Sequence, residues 1–204
     1  MTLVDTGASA DGRTARGQRT RAAVVDALLA LLEEGDLRPP APRIADRAGV
    51  SLRSVFQHFA DRETLFAAVA AAQLERMRAV VRHVPRDGAL ADRIAAFVEQ
   101  RGRVLELLSP VRRAALLQEP FSPELQVARR TGSELGRAEV VRVFDVELRA
   151  ERGPEGARLL EALDLASSWV VWERLRIDAG LEPDAAARVM ACTITALLER
   201  KEPA

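Results

Sequence analysis

The stretch "RIADRAGVSLRSVFQHFADRETLF", residues 43–66, constrains the fold more than any other part of the chain. Two short apolar patterns at helical spacing meet at Gly49, a residue that can take the left-handed conformation that ends a helix. Ser51 can cap the next helix, and Asp61 can cap a longer third one. The sequence therefore predicts a helix-turn-helix inside a three-helix unit.

The second helix of this unit has an inward and an outward side. We expect Val55, Phe56 and Phe59 to face inward, which leaves polar and aliphatic residues to project outward or sideways. In the major groove, Arg can pair with guanine, Gln can pair with adenine, and an aliphatic group can touch the thymine methyl. The predicted base-reading residues are Leu52, Arg53, Ser54 and Gln57.

Basic and polar groups around this helix are placed to meet DNA phosphates. The net charge of the whole chain is zero, so attraction to DNA must come from local charge, and residues 13–21 contain four arginines and no acid. This basic segment is either an arm that contacts DNA or a solubilising tail. The predicted phosphate-contacting residues are Arg43, Ser51, His58, Arg62, Arg16 and Arg19.

Apolar residues recur at helical spacing along the rest of the chain, and no segment alternates as a strand would, so the predicted class is all-α. Several prolines follow a plausible capping residue and precede a periodic segment, as is typical of helix starts. The predicted domains are a flexible basic arm at 1–19, a helix-turn-helix domain at 20–66 and a C-terminal helical domain at 67–204. The predicted helices are 20–34, 42–48, 52–59, 62–83, 89–108, 110–118, 123–151, 154–179 and 183–200.

Other classes of protein find little support in the residues. Cys192 is the single cysteine, lies in an apolar run and is expected in the core, which leaves no internal disulfide. His58 and His83 are the only histidines. The sequence has no residues at the spacing of metal ligands, no nucleophile–base pair and no glycine-rich phosphate loop. We therefore expect no enzyme activity, no cofactor and no metal. The absence of a long apolar run predicts a cytoplasmic chain with no membrane partner.

The C-terminal helices predict how the chain forms a dimer. The small helix-turn-helix domain at 20–66 reads only a few base pairs, so specific binding normally needs two copies. The segments 154–179 and 183–200 are apolar on more than one face, and a helix of that kind must bury both faces. We expect them to form a two-fold, four-helix dimer interface. Its predicted residues are Leu163, Ser167, Val170, Val171, Arg174, Val189, Met190, Thr193, Ile194 and Leu197.

The segment "VVDALLALLEEG…RIADRAGVSLRSVFQHFADRETLFAAV" resembles the DNA-binding domain of TetR-type (TetR/AcrR family) transcriptional regulators. It shares the helix ending in Gly, the I-A-x-x-A-G-V-S turn, and the short recognition helix ending aromatic-x-x-F before an acid, a basic residue, Glu and Leu. Two departures remove expected backbone contacts. Phe56 stands where members often carry a tyrosine that reaches a phosphate, and "RPPAP" replaces a loop that commonly offers Ser or Thr. We expect Arg43, Arg62, His58 or the arm to offset these losses, or general DNA affinity to be modest.

The resemblance also implies a ligand cavity in the C-terminal domain, lined mostly by apolar groups and suited to a lipophilic effector. Such an effector would favour a dimer whose recognition helices are wrongly spaced for DNA. The candidate lining residues, each of which could equally be core packing, are Phe97, Arg101, Leu105, Leu116, Phe121, Phe144, Trp169, Trp172 and Glu173.

The sequence thus predicts a homodimeric repressor that binds a palindromic double-stranded DNA operator and is released by a small apolar or amphipathic effector. Two alternatives stay open. The first is a regulator that acts without an effector, or that acts as an activator. The second is a protein-interaction module whose DNA-binding unit has decayed.

Overall fold

The computed structural model describes residues 7–151 and 153–199, and this part of the chain contains helices and no strand. The predicted all-α class is confirmed. A 3-10 turn at Glu119–Phe121 precedes α6, and α9 continues into a wider π-type turn at Arg174–Asp178. The helices are α1 (Gly7–Glu33), α2 (Ala41–Ala48), α3 (Leu52–His58), α4 (Arg62–Val80), α5 (Leu90–Leu116), α6 (Pro123–Val143), α7 (Asp145–Ala150), α8 (Pro154–Ala166), α9 (Trp169–Glu173) and α10 (Pro183–Leu198).

The described residues form two compact units. The first contains residues 7–76 together with Pro110–Leu125, and the second contains Met77–Ser109 with 126–151 and 153–199. The first unit is larger than the domain predicted at 20–66, because it also takes in the end of α5. Val111 and Ala114 of that segment are buried in the core of the first unit.

The first unit is built around the apolar face of α1. Val24, Leu28, Leu31 and Leu32 recur at helical spacing on this face and are almost fully buried. The buried residues of α2, α3 and α4 complete the same core, and a single contiguous cluster of this kind is typical of one small domain. Its members from these three helices and the residue after α3 are Ile44, Ala45, Val55, Phe59, Leu65, Phe66 and Val69.

The prediction of a flexible arm at residues 1–19 is wrong for its described part. Helix α1 begins at Gly7, so residues 7–19 are helical, while residues 1–6 of the predicted arm lie outside the described residues. The segment 7–19 has no proline and contains three Ala, three Arg and three Gly, and its polar pattern fits a solvated helix as well as a coil. A polar, aperiodic sequence therefore did not separate the two states.

The predicted break at Pro110 is also wrong. Helix α5 runs through this proline, which lies between predicted helices 89–108 and 110–118. The Ser109 hydroxyl donates to the carbonyl of Leu105 at 2.7 Å, one turn earlier. Conversely, the predicted helix 123–151 is split at Phe144, and the predicted helix 154–179 is split at Ser167 and Ser168. Proline removes one helical donor but does not always end a helix.

The second unit packs α5, α6, α8, α9 and α10 around its own core, in which the rings of Phe97 and Phe144 meet edge to face at 5.2 Å. The buried residues of α10 are Ala186, Met190 and Ile194. Cys192 lies about half a helical turn from this buried row and is exposed, so its predicted place in the core is wrong. None of the described helices combines the length and apolarity needed to cross a membrane.

Two glycines of the first unit test the extent of α1. A methyl group at Gly17 would lie 3.6 Å from Cε1 of His58, an ordinary contact, and the backbone there is helical. We expect Gly17→Ala to raise the free energy of unfolding by about 0.5–1 kcal/mol, because alanine loses less entropy in a helix. Gly49→Ala, at φ 66°, is the opposite control and should lower it by about 1 kcal/mol. Urea unfolding measures both, and an unchanged Gly17→Ala variant would mean that residues 7–19 are not helical.

Candidate nucleic-acid interface

The turn between α2 and α3 sets the direction of the recognition helix. Gly49 ends α2 with φ 66° and ψ 30°, the left-handed conformation expected for it. Its amide donates to the carbonyl of Asp46 at 3.1 Å, and the amide of Val50 donates to that of Ala45 at 3.0 Å. These bonds satisfy carbonyls at the end of α2 that have no helical partner. The predicted helix-turn-helix is therefore present.

Ser51 caps α3 as predicted. Its hydroxyl oxygen accepts from the amide of Ser54 at 3.1 Å, and the two hydroxyl groups lie 2.9 Å apart. Ser51 is exposed, whereas Ser54 is half-buried. Both hydroxyls are thus engaged at the start of the helix, and this is where a recognition helix approaches the bases most closely.

The outward face of α3 carries four exposed side chains that follow one another around the helix. With about 100° per residue, Leu52, Phe56, Arg53 and Gln57 occupy one arc, in which Arg53 and Gln57 lie farthest from the buried Val55. Within the described residues, the side chains of Arg53 and Gln57 form no hydrogen bond or ion pair. Three of the four predicted base-reading residues therefore lie on one accessible surface, and Ser54 lies at its edge.

Phe56 departs from its predicted inward position. Its side chain is 58% exposed, while Val55 and Phe59 are 3% and 1% exposed. Phe56 forms one wall of an apolar cleft of about 100 Å³, whose other walls include Pro39, Ala41 and Arg62. The position of Phe56 on the helix could have indicated this from the sequence, because Phe56 lies one turn after the outward Leu52, on the same side of α3.

Arg21 of α1 holds the end of the recognition helix, a role that the sequence did not reveal. Its guanidinium donates to the carbonyl of His58 at 2.9 Å and lies 4.4 Å from the ring centroid of Phe59. A cation at a helix C-terminus satisfies a free carbonyl and is favoured by the helix dipole. His58 itself is half-buried, with Cε1 near the position that a methyl group on Gly17 would occupy.

The predicted phosphate contacts are partly engaged within the chain. Arg43 pairs with Asp36 at 3.2 Å, and the guanidinium of Arg62 lies 5.5 Å from the ring centroid of Phe66. Burial, followed by the nearby charge of Arg38, lowers the pKa of Arg62. Arg38 was not predicted, and its proximity to Arg62 places two cations near the start of α4. A partly desolvated cation beside another cation gains from an anionic partner, and phosphate is such a partner.

The remaining basic candidates lie on the N-terminal part of α1. Arg16 and Arg19 are exposed and lie on the solvent side of a helix rather than on a flexible arm. Arg47, by contrast, forms a two-pronged pair with Glu34 at 2.5 and 3.1 Å. Asp61 caps α4 by accepting from the amide and hydroxyl of Thr64, and these bonds lower the pKa of its carboxyl group.

The predicted ligand-lining residues are divided between the two units. Phe97, Arg101, Leu105, Phe144 and Trp172 are buried in the second unit, and Trp169 and Glu173 are half-buried there. The predictions for Leu116 and Phe121 are wrong. These residues are 45% and 84% exposed and belong to the first unit.

The indole groups predicted to seek a ligand have protein partners. Trp169 Nε1 donates to the Ser109 hydroxyl at 3.1 Å, and Trp172 Nε1 donates to Glu106 at 2.8 Å. Arg101 is similarly engaged: its guanidinium donates to the carbonyl of Gly136 at 2.7 Å and pairs with Glu139 at 3.1 Å. These three polar side chains therefore stabilise the second unit itself.

Gln100 is a buried polar residue of α5 that the sequence did not single out. Its side chain is 4% exposed, and neither its amide nitrogen nor its amide oxygen has a hydrogen-bond partner among the described residues. Most buried polar groups are hydrogen-bonded, so an exception of this kind requires an explanation.

The predicted dimer-interface residues fall into two groups. Leu163, Ser167, Met190 and Ile194 are buried inside a single chain, so they are not available to a partner and their prediction is wrong. A charge at Ile194 would disrupt the fold rather than an interface. Val170, Arg174, Val189 and Thr193 are exposed, whereas Val171 and Leu197 are half-buried. The sequence showed that these helices are apolar on more than one face, but it did not show which of these faces the chain itself covers.

No group of three or more His, Cys, Asp or Glu side chains in the described residues could hold a metal ion. The site thus consists of a capped recognition helix that presents a mixed apolar and polar face, with arginines around it. This arrangement defines a helix-turn-helix unit of the kind that enters the major groove.

Comparison with known proteins supports this description. Residues 24–69 match the family model described as bacterial regulatory proteins, tetR family. No curated protein sequence matches the chain significantly. Among solved structures, a transcriptional regulator from Rhodococcus sp. Rha1 has a TM-score of 0.66 at 21% identity, with 90% of this chain and 96% of that chain covered.

A tetR-family transcriptional regulator from Streptomyces coelicolor has a TM-score of 0.67 at 15% identity, with 88% and 79% covered. A TetR-like transcriptional regulator from Rhodococcus sp. RHA1 has a TM-score of 0.57 at 19% identity, with 89% and 97% covered. The resemblance predicted from residues 20–70 is therefore confirmed. The chain has the fold of TetR-family transcriptional regulators, and its N-terminal segment matches their family model.

Proposed function

We propose that this protein is a homodimeric, sequence-specific DNA-binding repressor that a small amphipathic effector releases from a palindromic operator. The observation that carries the proposal is the outward face of α3, where Arg53 and Gln57 are exposed and have no partner within the described residues. Selection of binding sites from random duplex DNA, at about physiological salt, tests it. Recovery of a two-fold symmetric motif supports a dimeric reader, and binding that is only weak and unselective contradicts it.

DNA contact needs cations around the recognition helix as well as base-reading groups on it. Arg38, Arg62 and the exposed Arg16 and Arg19 supply them in this proposal. The lost tyrosine hydroxyl at Phe56 and the missing Ser or Thr in the "RPPAP" loop are thus offset by arginine charge. Binding by point charges is strongly salt-dependent, so affinity should fall steeply as salt rises.

Substitution of two arginines of the site distinguishes a contact to bases from a contact to phosphates. Arg53→Ala should weaken binding to the selected operator by about 5- to 150-fold and relax the preference at one base pair, because a bidentate base contact is lost. Arg62→Ala should weaken binding to all sequences alike, because a phosphate contact carries no sequence information. Fluorescence anisotropy with operator and scrambled duplexes measures both. Equal losses on both duplexes for Arg53→Ala would make it a phosphate contact.

The exposed face of α10 supports self-association. Val189, Cys192, Thr193 and Ala196 recur at helical spacing on this face, and none of them is charged. On α9, Val170 is 67% exposed. Uncharged helix faces of this kind are typical of an interface core, from which charged residues are depleted. We propose that these two faces meet the same faces of a second copy.

A charge placed on this surface should prevent association. We expect Val170→Glu to convert the dimer to a monomer, since a carboxylate in an apolar interface has no partner. Val146→Glu is the matched control, because Val146 is 66% exposed but lies on α7, and it should remain dimeric. Analytical ultracentrifugation measures the state, and alkylation of the single Cys192 should be faster in the monomer. If both variants stay dimeric, α9 does not form the interface.

The effector part of the proposal rests on Gln100. A buried amide without a protein partner costs stability, and a ligand that offers a donor and an acceptor would satisfy it. The apolar residues of the second core lie around the same helix and suit the apolar part of such a ligand. An amphipathic molecule with a carbonyl or hydroxyl group fits both features better than a sugar or a nucleotide.

Replacement of the amide separates a ligand-binding role from a structural one. Gln100→Leu should raise the free energy of unfolding by about 1 kcal/mol, because an unsatisfied buried group is removed while its volume is kept. Gln100→Ala should lower it, because a cavity is left. Thermal and urea unfolding measure both. A destabilised Gln100→Leu variant would show that the amide is hydrogen-bonded in the free protein. Compounds that release the wild type from operator DNA should fail to release this variant.

A further inference from the structure

The exposed surface of α3 carries an aromatic side chain, Phe56, beside its polar residues. Positions 52, 56, 53 and 57 follow one another around the helix at intervals of about 40–60°. Arg53 and Gln57 lie opposite the buried Val55, and Phe56 lies beside Arg53 on the same exposed arc. Leu52, one turn before Phe56, is 40% exposed and extends the apolar half of this surface. The recognition surface thus has an apolar half and a polar half.

A phenylalanine in this place can contact only a limited set of groups in the major groove. Its ring has no donor or acceptor, so contact with a base amide or carbonyl would leave that group without its water. The thymine methyl is the apolar group that the four standard bases expose on the floor of this groove. Leu52 has the same limitation. An apolar pair on a helix that enters the major groove is therefore complementary to thymine methyl groups.

Phe56 is also accessible to such a contact. Its ring borders the apolar cleft beside Pro39, Ala41 and Arg62, and more than half of its surface remains exposed.

We infer that Phe56, together with Leu52, reads thymine through its methyl group and makes each operator half-site depend on thymine next to the base pair that Arg53 contacts. This inference rests on the proposed DNA-binding function. It assigns a specificity-determining role to Phe56, the position where the hydroxyl of a tyrosine is missing. At this position a hydrogen bond to a phosphate is lost, and an apolar contact to a base is gained.

Substitution of thymine by deoxyuridine tests the inference, because it removes the methyl group and leaves every hydrogen-bonding atom in place. Each thymine of the selected half-site is replaced in turn, and affinity is measured by anisotropy for the full-length protein. We expect at least one replacement to weaken binding by about 4-fold, as for loss of one buried methyl group. At that position, Phe56→Ala should bind the thymine and deoxyuridine duplexes equally.

Two further variants serve as controls. Phe56→Tyr keeps the ring and should keep the preference for thymine over deoxyuridine, and Arg53→Ala should keep it while losing its own base preference. Circular dichroism checks that each variant is folded, which is expected because Phe56 is exposed. The inference is overturned if no deoxyuridine replacement changes affinity, or if Phe56→Ala weakens both duplexes equally and leaves the methyl preference intact. The latter result would place the ring against a deoxyribose. Failure to recover any selective motif would instead overturn the proposed function.

Discussion

The burial of Val55 and Phe59 on the core of the first unit is the contact on which the DNA-facing surface depends. These two residues occupy one narrow side of α3, and their almost complete burial sets the rotation of the helix about its axis. Once that rotation is set, Arg53 and Gln57 point away from the core, and Leu52 and Phe56 lie exposed beside them. Deletion of a buried aromatic ring commonly costs about 3–5 kcal/mol, so this orientation is strongly held. A short helix of this length would have no stable orientation by itself.

Local hydrogen bonds then set where α3 begins and ends. Ser51 satisfies an amide at its start, and Arg21 satisfies a carbonyl at its end while lying over Phe59. Because Arg21 belongs to α1, the extended first helix is connected directly to the recognition helix. The basic N-terminal segment therefore has a structural role in addition to the DNA-binding role proposed for Arg16 and Arg19.

The second unit uses charge inside its core. Arg93 is 5% exposed, donates to the carbonyl of Val143 at 2.8 Å and pairs with Glu147. The hydrogen bonds that Arg93 donates to Glu147 lower the pKa of the carboxyl group and raise the pKa of the guanidinium. Removal of one member of a buried pair leaves an uncompensated charge, which commonly costs about 3–5 kcal/mol. The contacts of Arg93 connect α5 with α6 and α7, and Arg101 of the same helix is paired with Glu139. Gln100 has no such partner among the described residues, which makes it a better candidate for ligand binding than Arg101.

The sequence alone determined the features that depend on near neighbours along the chain. Gly49, Ser51 and Asp61 each act within three or four residues, so the turn, the two caps and the helix-turn-helix could be predicted. Only the tertiary structure decided which apolar faces are covered. Phe56 and Cys192 are exposed although both are apolar, while Met190 and Ile194 are buried within one chain. Hydrophobicity shows that a residue is better buried, but the packing of distant helices determines which residues are buried. For the same reason, neither the burial of the Gln100 amide nor the contact between Arg21 and His58 could be predicted, because each depends on groups brought together by the fold.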